Sequence, residues 1–347
     1  MRAAVLLVVA ACNNQPASHS ADAANPRDGI VFEDAPSPTD LSYITLDPGW
    51  TVEVWRDVTT ELPYVDADFT DGTEVYSNII SRPFLLSGTT FGDRLGIVSG
   101  RRMAIFDGVS FELHDYGQHA PNTPGVPDAL SSVAQNNTSL YVTSTSANGG
   151  DGIFSVAADW TISSLTVINN TRYIVVDGKG TFDNAGVLEV YYGDLTGVTR
   201  LGAGTKIVTS TDANSLAINN GTLIYVEYEA EDMATVYSVA SATMVGGMHT
   251  KVPAFTSTDV LIGPGPPATS GKFGWAVVTS NVITEVGGPV TGNIPDGVAV
   301  SSDAAALWTG VLSVPTGHPL YNNGPTLFVT EYNTTVNRSR ILRLTKH

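Results

Sequence analysis

The chain has 347 residues, with 34 Asp and Glu against 17 Lys and Arg, giving a formal net charge of −17 at pH 7. Such a field repels nucleic acid and anionic headgroups and favours cations, so a nucleic-acid partner is excluded. The lone cysteine, Cys12, excludes disulfides and thiol catalysis from the rest of the chain. Roughly 320 residues beyond it are enough to bury a core without cross-links.

Met1 to Cys12 carries one basic residue, Arg2, then the apolar run Val5 to Ala11. A bilayer span needs about 20 such residues, so this run does not cross a membrane. Basic start, short apolar stretch and small residues are the parts of an export signal. Val9-Ala10-Ala11-Cys12 resembles the bacterial lipoprotein signal. That resemblance implies cleavage before Cys12, lipid attachment to it, and a membrane-anchored protein of the cell envelope. The other reading of this segment is a buried N-terminal strand. Asn13 to Arg27 is small and polar with Pro16 and Pro26, the composition of a flexible tether. Residues 1–12 are thus read as signal, 13–40 as tether and 41–347 as the folded domain.

The domain reads as all-β. Apolar residues alternate or cluster in short runs bounded by Gly, Asn, Asp or Pro, which is strand-and-turn punctuation. Candidate strands run Phe84–Ser87, Leu95–Ser99, Met103–Asp107 and Phe111–His114. Further on, Asn136-Asn137-Thr138-Ser139-Leu140-Tyr141-Val142-Thr143 returns as Asn219-Asn220-Gly221-Thr222-Leu223-Ile224-Tyr225-Val226-Glu227. It returns again as Asn322-Asn323-Gly324-Pro325-Thr326-Leu327-Phe328-Val329-Thr330. Units open near Pro83, Asp128, Arg172, Asn214, Asp259 and Asp296. A period of about 40–45 residues with four strands per unit predicts a β-propeller, six-bladed by length. A β-sandwich does not explain the period. Arg340–Leu344 takes the third place of the last unit, and the orphan strand Thr51–Trp55 is placed to complete it and close the ring. Thr59 to Ile80 and Ser302 to Pro325 read as insertions, and the second could hold a seventh blade.

Asp128, Asn214, Asp259 and Asp296 open the axial strand in four of the six units. Carboxylate and amide oxygens converging at a tunnel mouth suit calcium or another hard divalent cation. The structural alternative is that they bond nearby backbone amides at the strand entry. Asp66 to Glu74 has part of a calcium-loop pattern but the wrong spacing, and reads as an acidic surface loop. His114, His119, His249 and His318 fit no zinc spacing and read as surface or loop residues. Trp55, Trp160, Trp275 and Trp308 could line a carbohydrate surface, though strand positions favour packing between blades. No Gly-x-Ser-x-Gly elbow occurs. Gly265 to Lys272 imitates a phosphate loop with one residue too many.

Pro295-Asp296-Gly297-Val298-Ala299-Val300 with Leu307-Trp308, and Asn214-Ser215-Leu216-Ala217-Ile218 with Leu223 to Val226, resemble the blade openings of NHL-repeat and gluconolactonase-type propellers. The resemblance implies a divalent ion at the tunnel mouth, with Asp296 as catalytic base of a lactone or ester hydrolase. Arg82 to Leu86 lacks the carboxylate that group carries on its first blade, and Asn214 and Asp296 stand two units apart instead of one. The leading expectation is therefore a lipid-anchored envelope module, a monomer, that binds a protein, glycan or small molecule. The calcium-dependent hydrolase is the alternative.

Overall fold

The structure is a computed structural model describing residues 40–46, 48–62, 84–86, 91–116, 127, 130–136, 139–144, 152–168, 173–177, 182, 189–202, 204–219, 221–230, 233–240, 247–257, 261–265, 274–277, 284–285, 299–301, 306–314, 320, 326–333 and 337–347. Two strands precede the repeats, β1 (Ile44–Leu46) and β2 (Trp50–Asp57). Three sheets then follow in chain order, each an antiparallel meander of four strands. They are β3 (Phe84–Leu86) to β6 (Phe111–Asp115) through β4 (Arg94–Ser99) and β5 (Arg102–Phe106); β7 (Leu130–Gln135) to β10 (Ile162–Val167) through β8 (Leu140–Ser144) and β9 (Gly152–Val156); and β11 (Tyr173–Asp177) to β14 (Thr205–Thr209) through β12 (Glu189–Asp194) and β13 (Gly197–Arg200). A fourth comprises β15 (Asn214–Asn219), β16 (Thr222–Ala230), β17 (Met233–Ala240) and β18 (Lys251–Ser257).

Next come β19 (Leu261–Gly265), β20 (Gly274–Val277), β21 (Thr284–Glu285) and β22 (Ala299–Ser301). They do not form a meander. β21 leaves to pair with β18 as a fifth strand of the fourth sheet, and β22 lies parallel to β20 with Val277 opposite Val300. β1 pairs on the far side of β22, so this sheet reads β19-β20-β22-β1 and is mixed. The last sheet is β23 (Ala306–Val314), β24 (Thr326–Asn333), β25 (Arg338–Lys346) and then β2.

The fold is an all-β propeller, with five antiparallel blades among the described residues and the mixed sheet between the fourth and the last. This corrects the six-bladed expectation, and among the described residues no sheet supplies a seventh. The last unit was expected to open at Asp296. Instead Ala306–Val314, nine residues long, takes the inner place and pairs along its whole length with β24. The three-residue β22 has too few ladder bonds to compete for it. The expected insertion from Ser302 to Pro325 therefore contains a blade strand. The closing strand is where expected: β2 pairs with β25 from Trp50 opposite Lys346 to Asp57 opposite Arg340.

Inner strands pack side by side around the axis, β3 on β7, β7 on β11, β11 on β15, β15 on β19, β19 on β23, and β23 back on β3. Successive residues of a blade strand face opposite neighbours, so both faces are buried and strands read as continuous apolar runs. All eight residues of β24 are buried. Phe328 points into the seam with the first blade, among Leu95, Ile97, Phe106 and Ile341. Leu327 and Val329 point the other way, towards Trp50, Trp308 and the half-buried Leu41 and Ile44. At the closure seam the Trp55 ring lies 4.4 Å from Phe106 of the first blade and 4.5 Å from Phe328 of the last.

The turns follow from side-chain chemistry. Asn136 accepts the Ser139 amide at 2.7 Å, and Asp107 accepts the Val109 and Ser110 amides, which hold its carboxyl below the usual carboxylate range. Gly221 closes the matching Asn-rich turn at φ +77°, in the left-handed region that glycine enters without cost.

Candidate functional site

Asn214 is the first residue of β15, opposite Val226. The strands β7 and β19 begin two residues after Asp128 and Asp259, and β22 begins three residues after Asp296. Three of the four expected ligands thus stand at the entries of inner strands, and Asp296 stands before a strand that is not an inner one. The side chains of all four lie outside the described residues, as do Cys12, Asp66 to Glu74, His119, His318 and the Trp275 side chain. The backbone entering β15 is tightly packed: a Cβ on Gly193 would come within 2.4 Å of the Ala213 carbonyl oxygen. Among the described residues no group of three or more His, Cys, Asp or Glu is placed to hold a metal ion. No helix among them is long and apolar enough to cross a membrane.

Two buried carboxylates escaped the sequence reading. Glu331 on β24 is fully buried and lies opposite Arg340 of β25, whose side chain is 3% exposed. Arg340 Nε donates to Glu331 Oε1 at 3.0 Å, and a second guanidinium nitrogen bonds the same oxygen. Trp308 Nε1 donates to Oε2 at 2.7 Å. The Tyr43 hydroxyl lies 2.6 Å from Oε2 and accepts from Arg340 at 2.6 Å. One residue before β1 is thereby tied to the middle of the last blade.

Glu227 occupies the same place in the repeat, following Thr222-Leu223-Ile224-Tyr225-Val226 as Glu331 follows Thr326-Leu327-Phe328-Val329-Thr330. It too is buried, bonded by Lys251 Nζ at 2.5 Å and by the Tyr225 hydroxyl at 3.1 Å. Lys251 also sits over the Tyr237 ring, 4.2 Å from its centroid. Burial, and then the neighbouring Glu227 charge, push the Tyr225 phenol well above the usual tyrosine range. The repeated Glu was the signal available in the sequence; its cationic partners lie on other strands and were not.

A polar recess of about 630 Å³ opens at the end of β2 beside the start of β25, lined by Asp57, Thr59, Thr60, Glu61, Asn337 and Arg338. Its floor is fixed. Val58 and Leu62 are buried in the seam between the last and first blades, and the Val58 amide donates to the Ser339 carbonyl at 2.9 Å. The Thr59 hydroxyl accepts the Ser339 amide at 3.0 Å, and Asn337 Oδ1 accepts from the Tyr332 hydroxyl at 2.9 Å. Its charges are paired: Glu61 with Arg56 at 2.6 Å, and Asp57 with Arg338 at 3.8 Å.

His249, expected at the surface or in a loop, lies in the segment before β18 but is only 6% exposed, packing on Phe182 with ring centroids 4.9 Å apart. His114 stacks on Trp160 at 5.2 Å and 7°. Trp55 and Trp308 pack within or between blades, as their strand positions favour, and Trp160, in the turn between β9 and β10, packs against residues of the first two blades.

These strands define the class, a β-propeller whose ring is closed by its N-terminal strand. No known protein family matches the chain, and no curated protein is significantly similar to it. Among solved structures, TolB from Acinetobacter baumannii aligns at 10% identity and TM-score 0.39 over 86% of this chain and 64% of that one. The extracellular domain of the putative one-component system BT4673 from B. thetaiotaomicron aligns at 11% identity and TM-score 0.39, over 81% of this chain and 40% of that one. A Trypanosoma rangeli sialidase mutant displaying trans-sialidase activity gives 10% identity and TM-score 0.39 over 87% and 59%. The chain thus spans less than two thirds of each of these. At such scores the likeness carries no argument about function, and the fold rests on the chain's own strand pairing.

Proposed function

We propose that this chain is an exported, lipid-anchored propeller of the bacterial cell envelope that serves as a binding module. The observation that carries the reading is the path of its N-terminal segment. β1 and β2 are the outermost strands of two sheets, on β22 and β25, so the described chain enters the propeller at its perimeter and not among the inner strands. A tether beginning at an acylated Cys12 would lead in sequence into β1. The test is expression in a bacterial host with an alkyne-tagged fatty acid. Label on the wild-type chain and its loss in Cys12→Ser support the anchor; a mature N-terminus upstream of Cys12 in mass spectra overturns it.

A second reading is favoured by the register of Asp128, Asn214 and Asp259 at the entries of β7, β15 and β19. Their oxygens are suited to a calcium ion at the tunnel mouth. With a base beside it, such a site would belong to a hydrolase of the gluconolactonase type, although Asp296, expected in that role, precedes β22 and not an inner strand.

A further inference from the structure

We infer that the recess bounded by Asp57 to Glu61 and Asn337 to Arg338 binds a neutral polyhydroxyl ligand, the end of a saccharide chain. The inference rests on the binding-module reading and gives it a ligand class. Charge, lining and rigidity each narrow the choice.

Both carboxylates at the recess already face a guanidinium, Glu61 that of Arg56 and Asp57 that of Arg338. The local charge is therefore balanced, and an ionic ligand gains nothing by entering. A divalent cation would have to displace an arginine from each acid. All six lining residues are polar, and no aromatic or wholly aliphatic side chain lines the recess, so an apolar ligand would meet only the methyl and methylene groups of side chains that also carry polar atoms. What the walls do offer are planar groups, namely two carboxylates, an amide and a guanidinium, beside two threonine hydroxyls. Planar donors and acceptors of this kind bond adjacent hydroxyls in pairs.

Several of these groups are positioned in advance. The Asp57 carboxylate accepts the Thr59 amide at 2.9 Å, which holds its remaining lone pairs outward. Asn337 sits at φ +50° with its carbonyl oxygen bound by Tyr332, so its NH₂ is oriented and has no partner among the described residues. The Thr60 hydroxyl is likewise without one. Preorganisation lowers the entropic cost of binding. The volume of about 630 Å³ is within the range of small-ligand sites, but the recess is open, so only a terminal unit or two would be held. Without an aromatic platform the expected Kd is about 1 mM.

The test uses the full chain carrying Cys12→Ser, titrated with a panel of neutral disaccharides (lactose, maltose, cellobiose, chitobiose) and, as charged controls, glucuronic acid and sialyllactose, and followed by saturation-transfer NMR. At least one sugar is expected to saturate near about 1 mM, with a Kd that is unchanged when salt rises from about 0.05 to 0.5 M, because no net charge is exchanged. Asn337→Gly, which suits the left-handed backbone, and the exposed Thr60→Val should each weaken it about five- to tenfold. Unchanged melting curves would certify both as folded. The assignment is overturned if none of the sugars saturates, if neither variant weakens binding, or if only uronic or sialylated sugars bind and salt removes them. None of those outcomes bears on whether Cys12 is acylated.

Discussion

Replacing Arg340 by Met would leave Glu331 fully buried and without its cation. Removing one partner of a buried ion pair costs about 3–5 kcal/mol, far more than the pair's net contribution. Here Trp308 Nε1 and the Tyr43 hydroxyl remain on the carboxylate and offset part of the loss, each such bond being worth about 1.5–3 kcal/mol. The expected cost is therefore near the lower end, about 3 kcal/mol. For an urea m-value of about 3 kcal/mol/M, suited to a domain of this size, the unfolding midpoint should fall by about 1 M. The assay is urea unfolding of wild type, Arg340→Met, Glu331→Leu and the double variant. The double should be more stable than Arg340→Met alone, because no unpaired charge stays buried. A midpoint for Arg340→Met within about 0.2 M of wild type, or a double variant as poor as the sum of the singles, would refute the reasoning.

Gly197→Ala should be among the most damaging single substitutions, because φ is +138° and a Cβ would lie 1.9 Å from the Val208 carbonyl oxygen; solubility and melting temperature report it, with a loss of at least about 3 kcal/mol expected. Stability should fall as pH rises above about 10, since the buried Tyr225 phenol stays protonated in the fold while its unfolded counterpart ionises there. The stability this contributes is whole below the unfolded value and lost above it. Tyr225→Phe should flatten that alkaline limb in chemical denaturation measured against pH. If Asp128, Asn214 and Asp259 hold calcium, millimolar calcium will raise the melting temperature of the full chain, and Asp128→Ala/Asp259→Ala will abolish the rise; indifference to calcium and to EDTA counts against the metal.

Much of the architecture is written in local patterns. Inner strands begin at Phe84, Leu130, Tyr173, Asn214 and Leu261, within two residues of the expected openings, because each is closely preceded in the sequence by Pro, Asp or Asn. The closing strand was visible because Thr51 to Trp55 alternates and has no local partner. The mixed sheet was not legible. Val298-Ala299-Val300 has the apolar content of an inner strand, but its place depends on competition with Ala306–Val314 for the same ladder, a tertiary contest that periodicity does not record. Nor was Glu331's partnership with Tyr43, 288 residues distant in sequence. Of the candidate site, the positions of Asp128, Asn214 and Asp259 relative to strand entries were readable, whereas the recess was not: it joins residues 57–61 to 337–338 across the closure.

The closure also gives a physical reason for placing a charge at Glu331. In the first four blades each strand pairs with its successor in the chain, most of them within a few residues, and that closeness limits the register. The pairing of β2 with β25 has no such connection, since the two strands come from opposite ends of the chain. Apolar alternation tolerates a slip of two residues almost as well as the correct register. A slip of that size leaves Arg340 on Glu331, because both belong to the β24–β25 hairpin, but takes the Tyr43 hydroxyl, upstream of β2, away from the two, and losing a bond to a buried charge costs about 1.5–3 kcal/mol. The polar cluster should then matter more for uniqueness than for stability. In the Arg340→Met/Glu331→Leu double variant, stability should return while amide exchange along Trp50–Asp57 becomes faster than in wild type; equal exchange in the two would show that packing of Trp55 between Phe106 and Phe328 already sets the register alone.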